Sequence, residues 1–199
     1  MVTQILFVGI VLALAAQRLF ELRLSRRNEA RILAQGGCEH APEHFAAMKI
    51  LHTTWFLAMI VEVVWLDRPF VPLLSLGALM VLTIGQSLRY AAIRALGWRW
   101  TVRIMTLPDM PPITHGIYHY LRHPNYLGVI LEMASVPLLH TAVLTALFFS
   151  LANARLLAIR IRAEEKALSA HNDYDRAFAN RPRLIPRPPD RMHRINQHD

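Results

Sequence analysis

The sequence predicts an all-α, polytopic membrane protein, and three observations carry that prediction. Apolar residues make up 54% of the 199 and charged residues only 18%, against roughly 45–50% and about 25% in soluble domains. Apolar runs near the ~20 residues that cross a bilayer core as helix recur along the chain. Arginines gather just beyond those runs. A formal net charge of +8 would also suit a nucleic-acid binder. Basic residues flanking apolar runs, however, mark loops held on the cytoplasmic side, so membrane lipids are the expected partners and nucleic acid is not.

Val2 to Phe20 is the first run, and "MVTQILFVG" places no Lys or Arg ahead of it. Its charges follow, in "QRLFELRLSRRNEAR", the pattern of a retained anchor and not of a cleaved leader. Glu21 to Arg31 reads as a basic amphipathic extension, and "GGCEHAPEH" (Gly36–His44) as a loop. Phe45 to Leu66 is a second span, interrupted by Lys49, His52 and Glu62. "DRP" allows only a turn before the third span, Phe70 to Leu88, which Arg89, Arg94, Arg99 and Arg103 close. The arginine tally puts the N-terminus outside and the segments after the first and third spans in the cytoplasm.

Trp98 to Pro112 is polar, aromatic and proline-rich, hence loop. "VILEMASVPLL" holds only about a dozen apolar residues, too short to cross alone. With Pro137 and His140 marking a turn, it pairs with "TAVLTALFFSLANARLLAIRIRAEEKAL" as a helical hairpin. The last helix is apolar to about Ala152 and charged from Asn153 onward. About five membrane helices result, three spans plus the hairpin, in one domain over 1–199. Within it, 1–96 supplies N-terminal membrane helices, 97–186 the functional half and 187–199 a basic tail. "NRPRLIPRPPDRMHRINQHD" carries too much Pro and Arg to fold alone and is expected to pack loosely or fray. No strand, internal repeat or Gly-rich phosphate loop is expected. The single cysteine, Cys38, excludes an internal disulfide and a cysteine-based zinc cluster, and no metal site is expected.

One stretch departs from this pattern: "HGIYHYLRHPNYLG", His115 to Gly128. An interfacial belt of aromatic and snorkelling residues accounts for Trp98, Trp100 and Arg94, but not for His-Pro-Asn-Tyr ahead of an apolar helix. Pro124 suits a first helical turn and pushes His123 out of the α region, so a helix starts there with free N–H groups and a positive dipole end. Gly128 allows close approach by a helix or ligand. Tyr118 and Arg122 are four apart, as are His119 and His123. A second polar island is "RIRAEEKAL". Asn153, Arg160 and Glu164 share one face there, with Arg162 and Glu165 on the adjoining one. The Arg160/Glu164 spacing also suits a merely solvated helix. Among charges inside the spans, Glu132 stands out, followed by Glu62, His52 and Lys49, the last two near a span end where snorkelling accounts for them.

"HGIYHYLRHPNYLG", "RIRAEEKAL" and "YDRAFANRPRLIP" together resemble the isoprenylcysteine carboxyl methyltransferase family, over roughly Gly97 to Pro186. The resemblance implies a membrane enzyme that uses S-adenosylmethionine, releases S-adenosylhomocysteine and keeps its cofactor pocket on the cytoplasmic side. Carried over, Arg122, His123, Pro124, Tyr126, Leu127 and Gly128 would shape that pocket with His115, Gly116 and Tyr118. Glu165 and Glu164 would hold the cofactor's ammonium or organise the arginines beside it, with Asn153 and Arg160 on the same helix. The acceptor would be a prenylated or lipid-tailed molecule with an acidic oxygen. It is either an isoprenylcysteine-type carboxylate or, as in the subgroup acting on alkylpyrones and alkylresorcinols, a hydroxyl or enol. A phenol with a pKa near 10 needs a base, for which His119, His123 and Glu132 are candidates, beside Arg122 in a catalytic role; a carboxylate needs none. A nicotinamide-dependent reductase of the sterol-reductase type shares Arg-His-Pro-Asn-Tyr and is the rival enzyme; a membrane scaffold or transporter is the non-enzymatic rival.

Overall fold

A computed structural model describes residues 1–171 and 173–185. In chain order the elements are α1 (Val2–Ala34), β1 (Cys38–His40), α2 (Glu43–Trp65), α3 (Pro72–Leu96), β2 (Ile104–Thr106), α4 (Pro124–Leu138), α5 (Val143–His171) and α6 (Tyr174–Phe178). Among the described residues four helices, α1, α2, α3 and α5, are long and apolar enough to cross a membrane. The protein is a multi-pass helical membrane protein. The expected tail, 187–199, lies outside the described residues.

The fifth helix is the short one. At 15 residues α4 is about 22 Å long, less than the ~30 Å of a hydrocarbon core. It nevertheless reaches the end of the bundle formed by Met1, the α2–α3 turn and the α4–α5 turn. His140, just past it, lies 3.2 Å from Thr3 Oγ1, with its ring 5.7 Å from those of Phe7 and Phe70. A short helix that reaches this turn end must begin deep inside the bundle at the other end. Leu121 and His123, just ahead of Pro124, are accordingly buried.

Glycine makes the α3–α4 contact possible. A Cβ on Gly128 would lie 2.5 Å from Arg89 Cγ and 2.7 Å from the Gly85 carbonyl oxygen, distances no side chain tolerates. Toward the turn end the core holds an apolar cluster: Met59 and Val63 of α2, Met133 and Val136 of α4, and Phe7 and Val11 of α1 are buried together. At the turn end Glu62 of α2 caps α5. Its carboxylate accepts the Leu144 N–H at 3.1 Å, the Thr145 N–H at 2.7 Å and the Thr145 hydroxyl at 2.7 Å, and it pairs with Arg68 at 2.8 Å. The helix start has orphan donors, and a carboxylate from a neighbouring helix satisfies them. The acid that interrupts the second apolar run thus has a structural assignment.

At the opposite end one expectation is refined and two fail. The first run and its basic extension do form one continuous helix of 33 residues, and its polar side is partly inward. Buried Ser25 accepts the Val102 N–H at 2.8 Å, and buried Asn28 donates to the Trp100 carbonyl at 2.7 Å. The third helix likewise continues past Leu88 to Leu96, so Arg89 lies within it, buried. Finally, the two expected loops contain strands. α1 ends in a Schellman motif, with Gly36 at φ +82° and bonds Gly37 N–H to Ile32 O and Gly36 N–H to Leu33 O. The chain then pairs antiparallel with the later segment, Cys38 opposite Thr106 and His40 opposite Ile104. Three-residue strands are too short to display a two-residue period. Arg103 secures this ribbon through Glu39 at 2.5 Å and lies 4.3 Å over the Phe45 ring.

The segment from Asn180 is also ordered where it is described. The Arg122 and His123 N–H groups donate to the Pro182 and Arg183 carbonyls, each at 3.0 Å. Pro124 holds His123 at φ −128°, ψ 58°, outside the helix, and so leaves those donors free for a partner strand.

Candidate active site

One cavity of about 540 Å³ opens beside α4, within the range of small-molecule sites. It has two arms. The polar arm lies between the start of α4, the charged half of α5 and α6. The apolar arm runs between α1 and α2, past Val11, Leu12 and Ala15 on one side and Phe56, Leu57 and Ile60 on the other. β2 and the segment around Trp100 form part of its wall.

Tyr126 organises the polar arm. Its hydroxyl donates to Glu164 at 2.5 Å and accepts from Arg160 Nε at 2.9 Å; Arg160 also donates to the Val102 carbonyl. Helical spacing on α5 brings Arg160 and Glu164 to the same side of Tyr126. Asn125 Oδ1 and the Tyr174 hydroxyl are buried without a partner, and both residues line the cavity. Such atoms cost stability unless something satisfies them. Burial, reinforced by the Glu164 charge, pushes the phenols of Tyr118 and Tyr174 well above their ordinary value, so both remain neutral donors. Rings of Tyr118, Tyr174 and Phe178 supply an aromatic wall.

Behind this arm is a clamp. Glu165 accepts from His123 Nε2 at 3.1 Å and pairs with Arg183 at 2.5 Å, while Arg122 Nη1 lies 3.8 Å away. Arg122 Nε donates to the Arg181 carbonyl at 2.7 Å. The segment after α6 is thereby tied across the start of α4.

The sequence-derived candidates therefore separate. Tyr118, Arg122, His123, Tyr126, Arg160 and Glu164 line the cavity. Glu165 is not on its wall but holds His123 and Arg183 from behind, and Pro124 fixes the start of α4. Gly128 packs on Arg89 and Gly85, not on the cavity. Leu127 is half-buried outside it, and Asn153 is buried deeper along α5. His115, Gly116 and His119 are exposed, the last stacked edge-on against Tyr120 at 5.0 Å; the four-residue spacing to His123 does not place them together because this piece is a short 3-10 turn, Gly116–His119. Glu132 is held by Arg18, with Arg89 Nε at 3.4 Å.

A model of the isoprenylcysteine carboxyl methyltransferase family matches residues 78–170, which carry Tyr126, Arg160 and Glu164. The chain is also 36% identical over 164 residues to the uncharacterised protein YpbQ of Bacillus subtilis, covering 82% of this chain and 96% of that one. The chain belongs to the isoprenylcysteine carboxyl methyltransferase family. An uncharacterised protein of Haemophilus influenzae is 31% identical over 166 residues, covering 82% and 96%. The protein-S-isoprenylcysteine O-methyltransferase A of Arabidopsis thaliana is 26% identical over 129 residues, 64% of each chain. Among solved structures, the eukaryotic intramembrane Ras methyltransferase ICMT is similar with a TM-score of 0.49 and 24% identity, covering 67% of this chain and 48% of that one.

Outside the part that the family model matches, sequence reasoning missed Arg18 and Glu21 and set His52 aside as snorkelling near a span end, and it misplaced Arg89, which lies within that part. All four line the cavity. The signal was present, since ionisable groups at membrane depth are expensive and usually paired or functional. Assigning Arg18 and Glu21 to a helix end hid it.

Proposed function

We propose that this family member is an integral-membrane O-methyltransferase using S-adenosylmethionine, with a lipid-tailed acceptor bearing an acidic oxygen, and that its polar arm faces the cytoplasm. The observation that carries this is a single cavity joining a polar arm, with both charge signs, to an apolar arm between two membrane helices. The polar arm suits the cofactor's groups. Glu164, oriented by the Tyr126 hydroxyl, is an acceptor for an ammonium. Arg122 donates to a carboxylate, Asn125 Oδ1 and the Tyr174 hydroxyl are unused polar atoms, and the aromatic wall suits a flat base and a sulfonium.

When bound, the cofactor supplies a methyl group activated by its sulfonium. Methyl transfer is an in-line displacement, so what this chain contributes is position. Arg160 fixes Tyr126, Tyr126 fixes Glu164, and the Glu165–His123–Arg183 clamp holds the start of α4. The sunken start of α4 keeps the meeting point of the two arms away from bulk water, which strengthens every charge interaction there. A neutral acceptor and its methylated product partition through the apolar arm.

Calorimetry on detergent-purified protein tests the reading, using S-adenosylmethionine, S-adenosylhomocysteine and NADPH. Saturable binding of the first two and no binding of NADPH is the expected outcome. Binding of NADPH alone would replace this reading with a membrane reductase.

A further inference from the structure

Four charged side chains, two arginines and two glutamates, lie together inside the helical bundle. Arg18 of α1 donates to Glu21 at 2.5 Å and to Glu132 of α4. Arg89 of α3 donates to Glu21 at 2.5 Å. Gln17 supports Glu21 at 3.1 Å and reaches Gln86 at 2.9 Å. The set balances its own charge, which explains how it is tolerated at depth. It does not explain why the set borders the cavity. Glu21 and Arg89 are almost fully buried, whereas the Arg18 side chain is 18% exposed, and the space it faces is the junction of the two arms.

On the α2 side of that junction is His52. Its Nδ1 is 2.9 Å from the Met48 carbonyl oxygen, an acceptor only, so Nδ1 carries the proton and Nε2 is a lone-pair acceptor. His52 lines the same cavity as Arg18. Ala15, Leu12 and Val11 continue from Arg18 along α1, and Phe56 and Ile60 continue from His52 along α2, as the apolar arm. The junction therefore offers a cationic donor and a neutral base at the mouth of an apolar channel, next to Val129 and Tyr126 of α4.

We infer that Arg18 and His52 form the acceptor-head site: Arg18 binds the acidic oxygen, His52 Nε2 accepts its proton, and the tail lies between α1 and α2. The inference rests on the methyltransferase reading and names the subsite that reading lacks. For an enol or phenol arriving neutral, the O–H bond breaks as Nε2–H forms, leaving an oxyanion beside Arg18 and an imidazolium opposite. Net charge in the junction is unchanged by the transfer. A carboxylate uses Arg18 and has no need of His52.

Two probe pairs test this, each an acid with its own methylated form: N-acetyl-S-farnesylcysteine with its methyl ester, and 3-pentadecylphenol, which arrives neutral, with its methyl ether. Binding to protein saturated with S-adenosylhomocysteine is measured by calorimetry. Wild type should prefer at least one acid over its methylated form by about tenfold, the worth of a charge-assisted hydrogen bond. Arg18→Gln should erase that preference, and His52→Gln should weaken the phenol but not the cysteine derivative, with the S-adenosylhomocysteine affinity unchanged in both. Arg18→Lys, which keeps the charge but loses the forked guanidinium donors, serves if the Gln variant fails to fold, and should reduce the preference without erasing it. No acid preference in wild type, or an unaltered preference in the Arg18 and His52 variants, overturns the inference. Absence of S-adenosylhomocysteine binding in wild type overturns the methyltransferase reading instead.

Discussion

Both ends of the bundle use a glutamate, and the two differ in what surrounds them. Glu62 at the turn end receives two backbone N–H groups, a hydroxyl and a guanidinium. Glu164 at the site end accepts a hydrogen bond from the Tyr126 hydroxyl and faces a cavity. A carboxylate with its acceptor capacity filled by the fold contributes stability and has nothing left for a ligand. One that is oriented by a tyrosine hydroxyl and faces a cavity is prepared for a cation. The contrast teaches that a charge in an apolar sequence acquires its meaning from how completely its neighbours satisfy it.

The largest expected effect is at the open carboxylate. Glu164→Gln keeps the size of the side chain and removes the charge that an ammonium would meet. Affinity for S-adenosylhomocysteine, measured by calorimetry, should fall at least about tenfold, since hydrogen bonds between charged groups contribute roughly 1.5–3 kcal/mol. The thermal midpoint without ligand should change little. A variant that binds normally would put Glu164 in the same class as Glu62 and end the contrast.

The converse experiment is Glu62→Gln. A carboxamide offers one acceptor where two were used and turns an N–H₂ group toward either the Leu144 N–H or the two Thr145 donors. Leaving a buried donor unsatisfied costs about 1–3 kcal/mol, so the thermal midpoint should drop while ligand affinity in the surviving folded fraction stays as in wild type. A loss of affinity without a loss of stability would show that the turn end communicates with the site.

Much of this architecture was legible in the sequence, and what was missed has physical causes. The helix starting at Pro124 could be read because a proline restricts two residues at once, and the long apolar runs could be read because bilayer thickness sets their length. Tyr126, Arg160 and Glu164 were within reach because two of them share a helical face. The ribbon of β1 and β2 was not, since its partners are far apart in the chain and neither is long enough for a period. Arg18 and Arg89 were misread for a related reason: proximity to the end of an apolar run suggested solvent, and only the bundle shows that both chains turn inward to Glu21 and Glu132. The ordering of Arg181 to Ile185 depended on free N–H groups at Arg122 and His123, a tertiary fact.

A smaller effect is expected at the clamp. Arg183 is held by Glu165 but its side chain is 59% exposed, and exposed ion pairs contribute little, about 0–1 kcal/mol. Arg183→Ala should leave the thermal midpoint nearly unchanged and weaken ligand binding by less than about threefold, because His123 keeps Glu165 in place from the buried side. A larger loss would mean that the segment after α6, and not the start of α4, is what Glu165 positions.

The smallest effect concerns the buried Tyr174 hydroxyl and is read first by pH. Tyr174 is buried with no partner for its hydroxyl, and burial, then the charges of Glu164 and Glu165, hold its phenol well above the ordinary value near 10. A proton bound more tightly in the folded state than in the unfolded one contributes stability below the unfolded pKa, and that contribution is lost as pH rises toward the folded value. The thermal midpoint of the unliganded protein should therefore decline above about pH 10, and Tyr174→Phe should make the decline shallower. The same substitution removes a donor from the cavity wall while keeping the ring 4.7 Å from Phe178. If the hydroxyl is reserved for the cofactor, Tyr174→Phe lowers S-adenosylhomocysteine affinity by a few fold at neutral pH as it improves alkaline stability. Unchanged affinity would mean that the orphaned hydroxyl is a cost of packing at the site end and not a vacancy kept for a ligand.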